Sequence, residues 1–310
     1  MKTEKNISRI SEKGFTLLEI LTVVVIIAIL VGILMPALNM VRKMGNDVKQ
    51  KAQLASIEIG LNLYKNDLGD YPQSHGVDNI GTIDYKYCGA QTLSEAMFGR
   101  DLLGFDPNSK FDAADDTEYD STIDLKTRKG PYLDRTHINV LTAENIYGTG
   151  ITAIEKDLFL ICDVYTRAKK YVTLPNGSQI KATISTPVLY YKANTSKEDN
   201  NITSPSATDT YKNIYDSWDN EELISLLSVG SEKTKYKHHF DKNYSEDRSS
   251  GVTLSGREIF YEFIQDKMTS TTTPLKNRPV RPDTFLLISA GFDGLYGTSD
   301  DICNFEPNIE

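Results

Sequence analysis

Residues 15–38, FTLLEILTVVVIIAILVGILMPAL, run almost without charge directly behind a polar stretch, residues 1–14, that carries Lys2, Lys5, Arg9 and Lys13 against Glu4 and Glu12. About 20 apolar residues rising 1.5 Å each cover the roughly 30 Å of hydrocarbon in a bilayer, so this run is long enough to be a membrane helix. Cations ahead of the apolar run place its N-terminal side in the cytoplasm and the bulk of the chain across the membrane. An ordinary secretory signal would show a shorter apolar core and a small-residue cleavage site. Here the run is longer and ends at Met35-Pro36-Ala37, with an amphipathic continuation behind it.

Glu19 breaks the apolar pattern. A carboxylate inside a membrane helix costs on the order of 2.5 to 3.5 kcal/mol on insertion scales unless it lies shallow or finds a partner. Two readings are open: Glu19 sits at the interface and reaches water, or cleavage after Gly14 frees an α-amino group on Phe15 that pairs with the carboxylate four residues on, within one chain or between chains.

Behind Pro36, the apolar positions Leu38, Val41, Val48, Ala52, Ala55, Ile59 and Leu63 recur at helical intervals among Arg42, Lys43, Asp47, Lys49 and Lys51. This periodicity predicts that the helix continues as an amphipathic segment over residues 39–68. It should stop at Asp67-Leu68-Gly69-Asp70-Tyr71-Pro72, where Gly69 caps and Pro72 prevents resumption. A helix over 15–68 would be roughly 80 Å long.

The rest of the chain, residues 69–310, alternates short apolar runs with Gly-, Ser- and Asp-rich loops, the pattern of an α+β head rather than a parallel βαβ array. Strands are expected at 158–165, 171–174, 180–184, 188–192 and 285–289, and short helices at 92–103 and 259–268. Residues 112–124 and 194–210 read as surface loops, and 269–282 as an extended, proline-punctuated lead into the last strand.

Composition excludes several functions. The chain has 310 residues, a net charge of -9 and no Lys/Arg run, which argues against binding a phosphate backbone; no nucleic acid is expected. The three cysteines, Cys88, Cys162 and Cys303, lack C-x-x-C spacing and allow at most one bridge. No H-E-x-x-H, G-x-S-x-G, Walker A or dinucleotide glycine fingerprint is present, and no enzymatic activity is expected. His238 and His239, amid Lys235, Lys237 and Lys242, read as an exposed polar run.

The sequence at 289–305, SAGFDGLYGTSDDICNF, folds Asp293, Asp300 and Asp301 onto one loop with Gly291, Gly294 and Gly297. A hard cation such as Ca²⁺ takes six to eight oxygens at about 2.3 to 2.6 Å, and a glycine-bent loop can turn carboxylates and carbonyls inward together. The loop is not an EF-hand: twelve residues from Asp293 end at Asn304, not glutamate, and the third and fifth positions are Leu295 and Gly297. On the residues alone, a calcium loop and an Asp-Gly turn with solvated acids are equally open.

Lys13-Gly14-Phe15-Thr16-Leu17-Leu18-Glu19 resembles the class III signal of type IV pilins, shared by pilins and type II secretion pseudopilins. The stretch LNLYKNDLGDYPQS resembles the helix end of major pseudopilins. Residues 289–305 resemble their C-terminal calcium loop, which runs from Ser-x-Gly-x-Asp to Asp-Ile-x-Asn and an aromatic. The resemblance implies a leader (1–14) cut by a prepilin peptidase after Gly14, N-methylation of Phe15, and a Glu19 that sets register when subunits join a filament. It implies a proline kink at Pro36. It also implies Ca²⁺ held by Asp293, Asp300 and Asp301, with the carbonyls of Ser289, Leu295 and Ile302 as weaker candidates. The fold implied is a long helix packed on an antiparallel sheet, here with a large insertion over 85–280. The function implied is that of a structural subunit of a type II secretion pseudopilus, a helical homo-oligomer. It would work with other pseudopilins and an inner-membrane secretion platform, its head in the periplasm of a bacterium. The alternatives are a type IV pilin-like filament subunit or a pilus-borne module that binds a glycan or surface.

Overall fold

The computed structural model describes residues 14–309 except 78–80, 114–118, 120–124, 137, 174–178, 199, 201–212, 230–235, 249–250 and 268–277. Residues 1–13 of the leader, most of the acidic loop, most of the 194–210 loop, Leu174, Met268 and most of the 269–282 stretch lie outside the described residues. The chain divides into two compact units, Met1–Gly45 and Asn46–Glu310.

The first unit consists of the N-terminal part of α1 (Leu17–Leu68) and the residues before it. Residues 14–42 are all exposed, aliphatic side chains included. A helix apolar all round with nothing against it is built for a non-aqueous surrounding, and α1 is long and apolar enough to cross a membrane. Pro36 lies inside it and offers no N–H to the carbonyl of Gly32 one turn back.

In the second unit α1 ends where Gly69, at φ +95°, leaves the helix and donates its N–H to the Lys65 carbonyl at 2.7 Å. Of this stretch, Gln50, Gln53, Leu54, Ile57, Gly60, Leu61 and Tyr64 are buried. The stripe that apolar periodicity picks out, Val48, Ala52, Ala55, Ile59 and Leu63, is exposed instead. Two glutamines explain the reversal. Gln53 donates to the Cys162 carbonyl at 2.8 Å, and Gln50 accepts from the Val164 N–H at 2.9 Å. The packed face is therefore part polar, and a count of apolar residues overlooks it. A Cβ on Gly60 would lie 2.8 Å from Met97 Sδ, so glycine sets how closely the helix approaches the head.

The head contains β1 (His75–Val77), β2 (Ile83–Cys88), α2 (Gly89–Phe98), β3 (Asn139–Thr142), α3 (Ala143–Tyr147), β4 (Phe159–Cys162), β5 (Ala168–Thr173), β6 (Gln179–Ile184), β7 (Leu189–Lys192), α4 (Glu221–Ile224), β8 (Ser245–Asp247), β9 (Thr253–Ser255), α5 (Gly256–Phe263), β10 (Phe285–Ser289) and β11 (Ile302–Cys303). Among the described residues all pairings are antiparallel: a three-stranded sheet in the order β11-β10-β7, and the two-stranded sheets β1-β2, β3-β4, β5-β6 and β8-β9. The α+β class read from the sequence is that of the structure.

The β7-β10 pair is the middle of the head. Strand side chains alternate between faces, and here both faces are covered. Tyr190, Phe285 and Leu287 join one core with Leu54, Ile57 and Leu61 of α1 and Leu93 and Met97 of α2. Leu189, Tyr191, Leu286 and Ile288 join a second core with Phe260 and Phe263 of α5. A strand buried on both sides needs an unbroken apolar run, which FLLIS supplies.

The expected helix at 92–103 begins three residues earlier and ends at Phe98, because Gly99 turns out at φ +77° with Gly104 O where its Cβ would be. The helix expected at 259–268 begins at Gly256. Ser255 accepts from the Glu258 N–H while Glu258 reaches back to the Ser255 N–H. That capping box was legible as Ser-x-x-Glu.

Candidate functional site

At the N-terminal end, Gly14 and Phe15 precede α1 and are open, Phe15 at 83% exposure. Thr16 takes the N-cap position. Its N–H and hydroxyl both donate to Glu19 Oε2 at 2.8 Å, and its Oγ1 accepts the Glu19 N–H at 3.2 Å. Each side chain thus satisfies the other's backbone amide, a reciprocal cap worth on the order of 1 kcal/mol. Sequence reasoning read Glu19 as a membrane anomaly and, by resemblance, as the residue that sets register, and missed Thr16, although Thr-x-x-Glu ahead of an apolar run is the signature of this cap. Glu19 therefore has a partner before any cleavage. Gly14, Phe15 and Glu19 stand within six residues of one another, with Pro36 far along the same helix.

At the other end of the chain, residues 290–301 connect β10 to β11, whose pairing of Ser289 with Ile302 closes the base of the loop. Gly291, Gly294 and Gly297 all have positive φ, and a Cβ on Gly291 would collide with the Asp300 carbonyl. The loop folds on its own acids. Asp293 Oδ1 accepts from the Leu295 N–H at 2.7 Å. Asp300 Oδ2 accepts from the Asp293 N–H at 2.9 Å, and its Oδ1 from the Thr298 hydroxyl at 2.7 Å. Asp301 Oδ2 accepts from the Gly297 N–H at 2.7 Å.

The three carboxylates differ in environment: Asp293 is exposed, Asp300 half-buried and Asp301 buried. Burial holds the Asp301 carboxyl well above its ordinary proton affinity, with Asp293 and Asp300 pushing the same way. Burial and the neighbouring Asp300 raise Asp293. For Asp300, burial raises it too, but the hydrogen bonds from Thr298 and the Asp293 N–H prevail and its affinity falls. In kind this donor set fits a hard cation, which would relieve the crowding of negative charge. Among the described residues, however, no three His, Cys, Asp or Glu side chains are gathered as metal ligands. The loop acids face backbone N–H groups. Ser289 and Ile302 are buried at the loop base and Leu295 is half-buried.

The loop is tied down from outside. The Arg167 guanidinium donates to the carbonyls of Gly291 and Phe292 and lies 3.6 Å from the buried Asp163. Tyr296 donates its hydroxyl to the Pro187 carbonyl at 2.5 Å and its N–H to His238 Nδ1 at 3.2 Å. His238 is fully buried with its ring 4.5 Å from that of Tyr296, which corrects the expectation of an exposed histidine pair. Past the loop, Asn304 donates to Glu58 of α1 at 2.9 Å, and Glu58 also holds Arg281 at 2.7 Å. Arg167, His238 and Glu58 had no local signal, since their partners lie far away in sequence. All three cysteines are free thiols.

Residues 9–35 match the prokaryotic N-terminal methylation motif, so the chain carries a type IV pilin-like prepilin signal. The motif contains Gly14, Phe15, Thr16 and Glu19 and implies processing by prepilin peptidase and assembly into a filament. It supports a type IV pilin-like filament subunit, and the apolar helix with this signal is compatible with anchoring in a membrane. No curated protein and no solved structure matches the chain.

Proposed function

We propose that the protein is a structural subunit of a type II secretion pseudopilus, without enzymatic activity, that polymerises through its N-terminal helix. The observation that carries the filament reading is the exposed apolar stripe of Val48, Ala52, Ala55, Ile59 and Leu63, opposite the face of α1 that packs on the head. A helix with one apolar face satisfied and a second left open has a surface for another protein, and in a homopolymer that protein is a copy of itself.

In this reading the leader is removed after Gly14, Phe15 is methylated, and Glu19 exchanges its Thr16 cap for the ammonium of a neighbouring chain, which sets register. The chain is held in the inner membrane with its head in the periplasm, and its helix leaves the bilayer for the filament core. Pro36 gives that helix a point of bending. Asp293, Asp300 and Asp301 would hold Ca²⁺, with the carbonyls of Ser289, Leu295 and Ile302 as further donors. Bound there, the ion would offset the charge of the loop.

The test is assembly in the native membrane. Ile59→Lys, at an exposed position, should leave the head's stability within about 0.5 kcal/mol and prevent filaments. Glu19→Ala should insert and be cleaved but fail to assemble. Normal filaments from both variants would overturn the reading. Deleting the protein should strand folded exoproteins in the periplasm; unchanged secretion with surface filaments lost would place it in a pilus instead.

A further inference from the structure

The head contains a cavity of about 360 Å³ that neither filament assembly nor the terminal loop uses. It opens where the chain leaves α1 and passes the end of β7, and Asp70, Ser74, His75, Lys192, Asp216 and Asp219 are in its wall. The arrangement is unbalanced. Lys192 is the one cation among the described lining residues, and its Nζ lies 2.6 Å from Asp70 Oδ2. Asp219 is 3% exposed. Its Oδ2 accepts from the Ser74 hydroxyl, which in turn accepts the Lys192 N–H at 3.0 Å, while Oδ1 has no hydrogen-bond partner among the described residues. Asp216 stands three residues away and accepts the Trp218 N–H at 3.0 Å.

An orphaned carboxylate oxygen in a buried position forfeits its hydration without compensation. Burial, and in Asp216 also the charge of Asp219, raise the proton affinity of both acids, as expected where positive charge is lacking. His75 adds another acceptor rather than a cation. Burial lowers its proton affinity, and its Nδ1 lies 3.2 Å from the Gly76 carbonyl, so that nitrogen carries the proton and Nε2 is left to accept. The site therefore offers acceptors and wants donors with positive charge.

Two kinds of cation could answer. A bare divalent ion needs several oxygens converging on one point, and no three His, Cys, Asp or Glu side chains do so among the described residues. The volume is that of a small-molecule pocket. We propose that this cavity binds a small organic ammonium ion, whose charged nitrogen meets the Asp216 and Asp219 carboxylates while its body lies along His75 and Tyr71. The head would thereby recognise a small amine-bearing ligand, independently of how the filament assembles.

The experiment is calorimetric titration of the full chain in detergent micelles with putrescine, with 1,4-butanediol as its neutral counterpart, and with calcium chloride, each alone. Putrescine should bind at one site, butanediol should not, and Asp219→Asn should weaken putrescine by about tenfold or more, as expected for losing a charged hydrogen bond. Asp216→Asn provides the same test should the Asp219 variant fail to fold. Butanediol binding as well as putrescine, calcium alone binding in a manner lost in the Asp219 variant, no putrescine binding, or variants that bind it like the native chain would each overturn the proposal.

Discussion

Protonation of His238 should loosen the terminal loop, and the size of the effect follows from the geometry. The ring is fully buried, and its Nδ1 accepts the Tyr296 N–H. The neutral form therefore carries its proton on Nε2, which has no hydrogen-bond partner among the described residues. A second proton has to go to Nδ1, where it would break the bond to Tyr296. Burial, with a smaller contribution from His239, pushes the folded-state pKa down to about 3, against an ordinary 6.5. Below pH 6.5 the unfolded chain takes up a proton that the folded chain refuses. Stability from this residue is thus complete above 6.5 and is lost as pH falls towards 3. At pH 5 the loss is about 2 kcal/mol relative to pH 8.

The assay is urea unfolding of the full chain in micelles at pH 8 and pH 5, followed by the fluorescence of Trp218, the single tryptophan. His238→Gln is measured in parallel. Other buried groups act in the opposite direction: Asp163, raised by burial to about 7, favours the folded state more as pH falls. Such groups are common to both proteins, so the difference isolates His238. The native chain should lose about 2 kcal/mol more than the variant between the two pH values. Equal losses would refute the argument that this buried ring refuses the proton.

Three further outcomes follow from the packing and the two chain ends. Ile57→Ala, at a fully buried position of α1, should destabilise the head by about 2 to 5 kcal/mol in the same urea assay. Thr16→Ala removes the hydroxyl that accepts the Glu19 N–H and donates to its carboxylate, leaving the Thr16 backbone N–H bond to Glu19 in place, and should cost about 1 kcal/mol, seen as faster hydrogen exchange of the amides at 17–19 with the rest of α1 unchanged. Asp300→Ala should abolish any rise in Tm on adding calcium to the full chain; an undiminished rise would place the ion elsewhere.

How much was legible in advance depended on how local the signal was. The apolar run, the prepilin signal, the stop at Gly69 and the strand FLLIS are written in neighbouring residues, and the structure places helix, stop and strand there. The capping boxes at Thr16 and Ser255 were equally local and simply went unread. The face of α1 that packs was not legible, because Gln50 and Gln53 lie on it and their value comes from backbone groups more than a hundred residues away. His238 looked like part of an exposed lysine-rich run until Tyr296 covered it.

The sequence by itself determined that this chain begins with a helix suited to lipid and a signal for processing. Hydropathy, capping and glycine turns act over a few residues, and tertiary contacts are not needed to express them. Only the tertiary structure decided where charge is buried and left over. Ser74 and Asp219 are 145 residues apart in sequence and meet beside the cavity, and Arg167 reaches 124 residues along the chain to the loop carbonyl of Gly291. Burial is a property of what the rest of the chain folds against. A buried carboxylate without a partner can be recognised only once that surrounding exists.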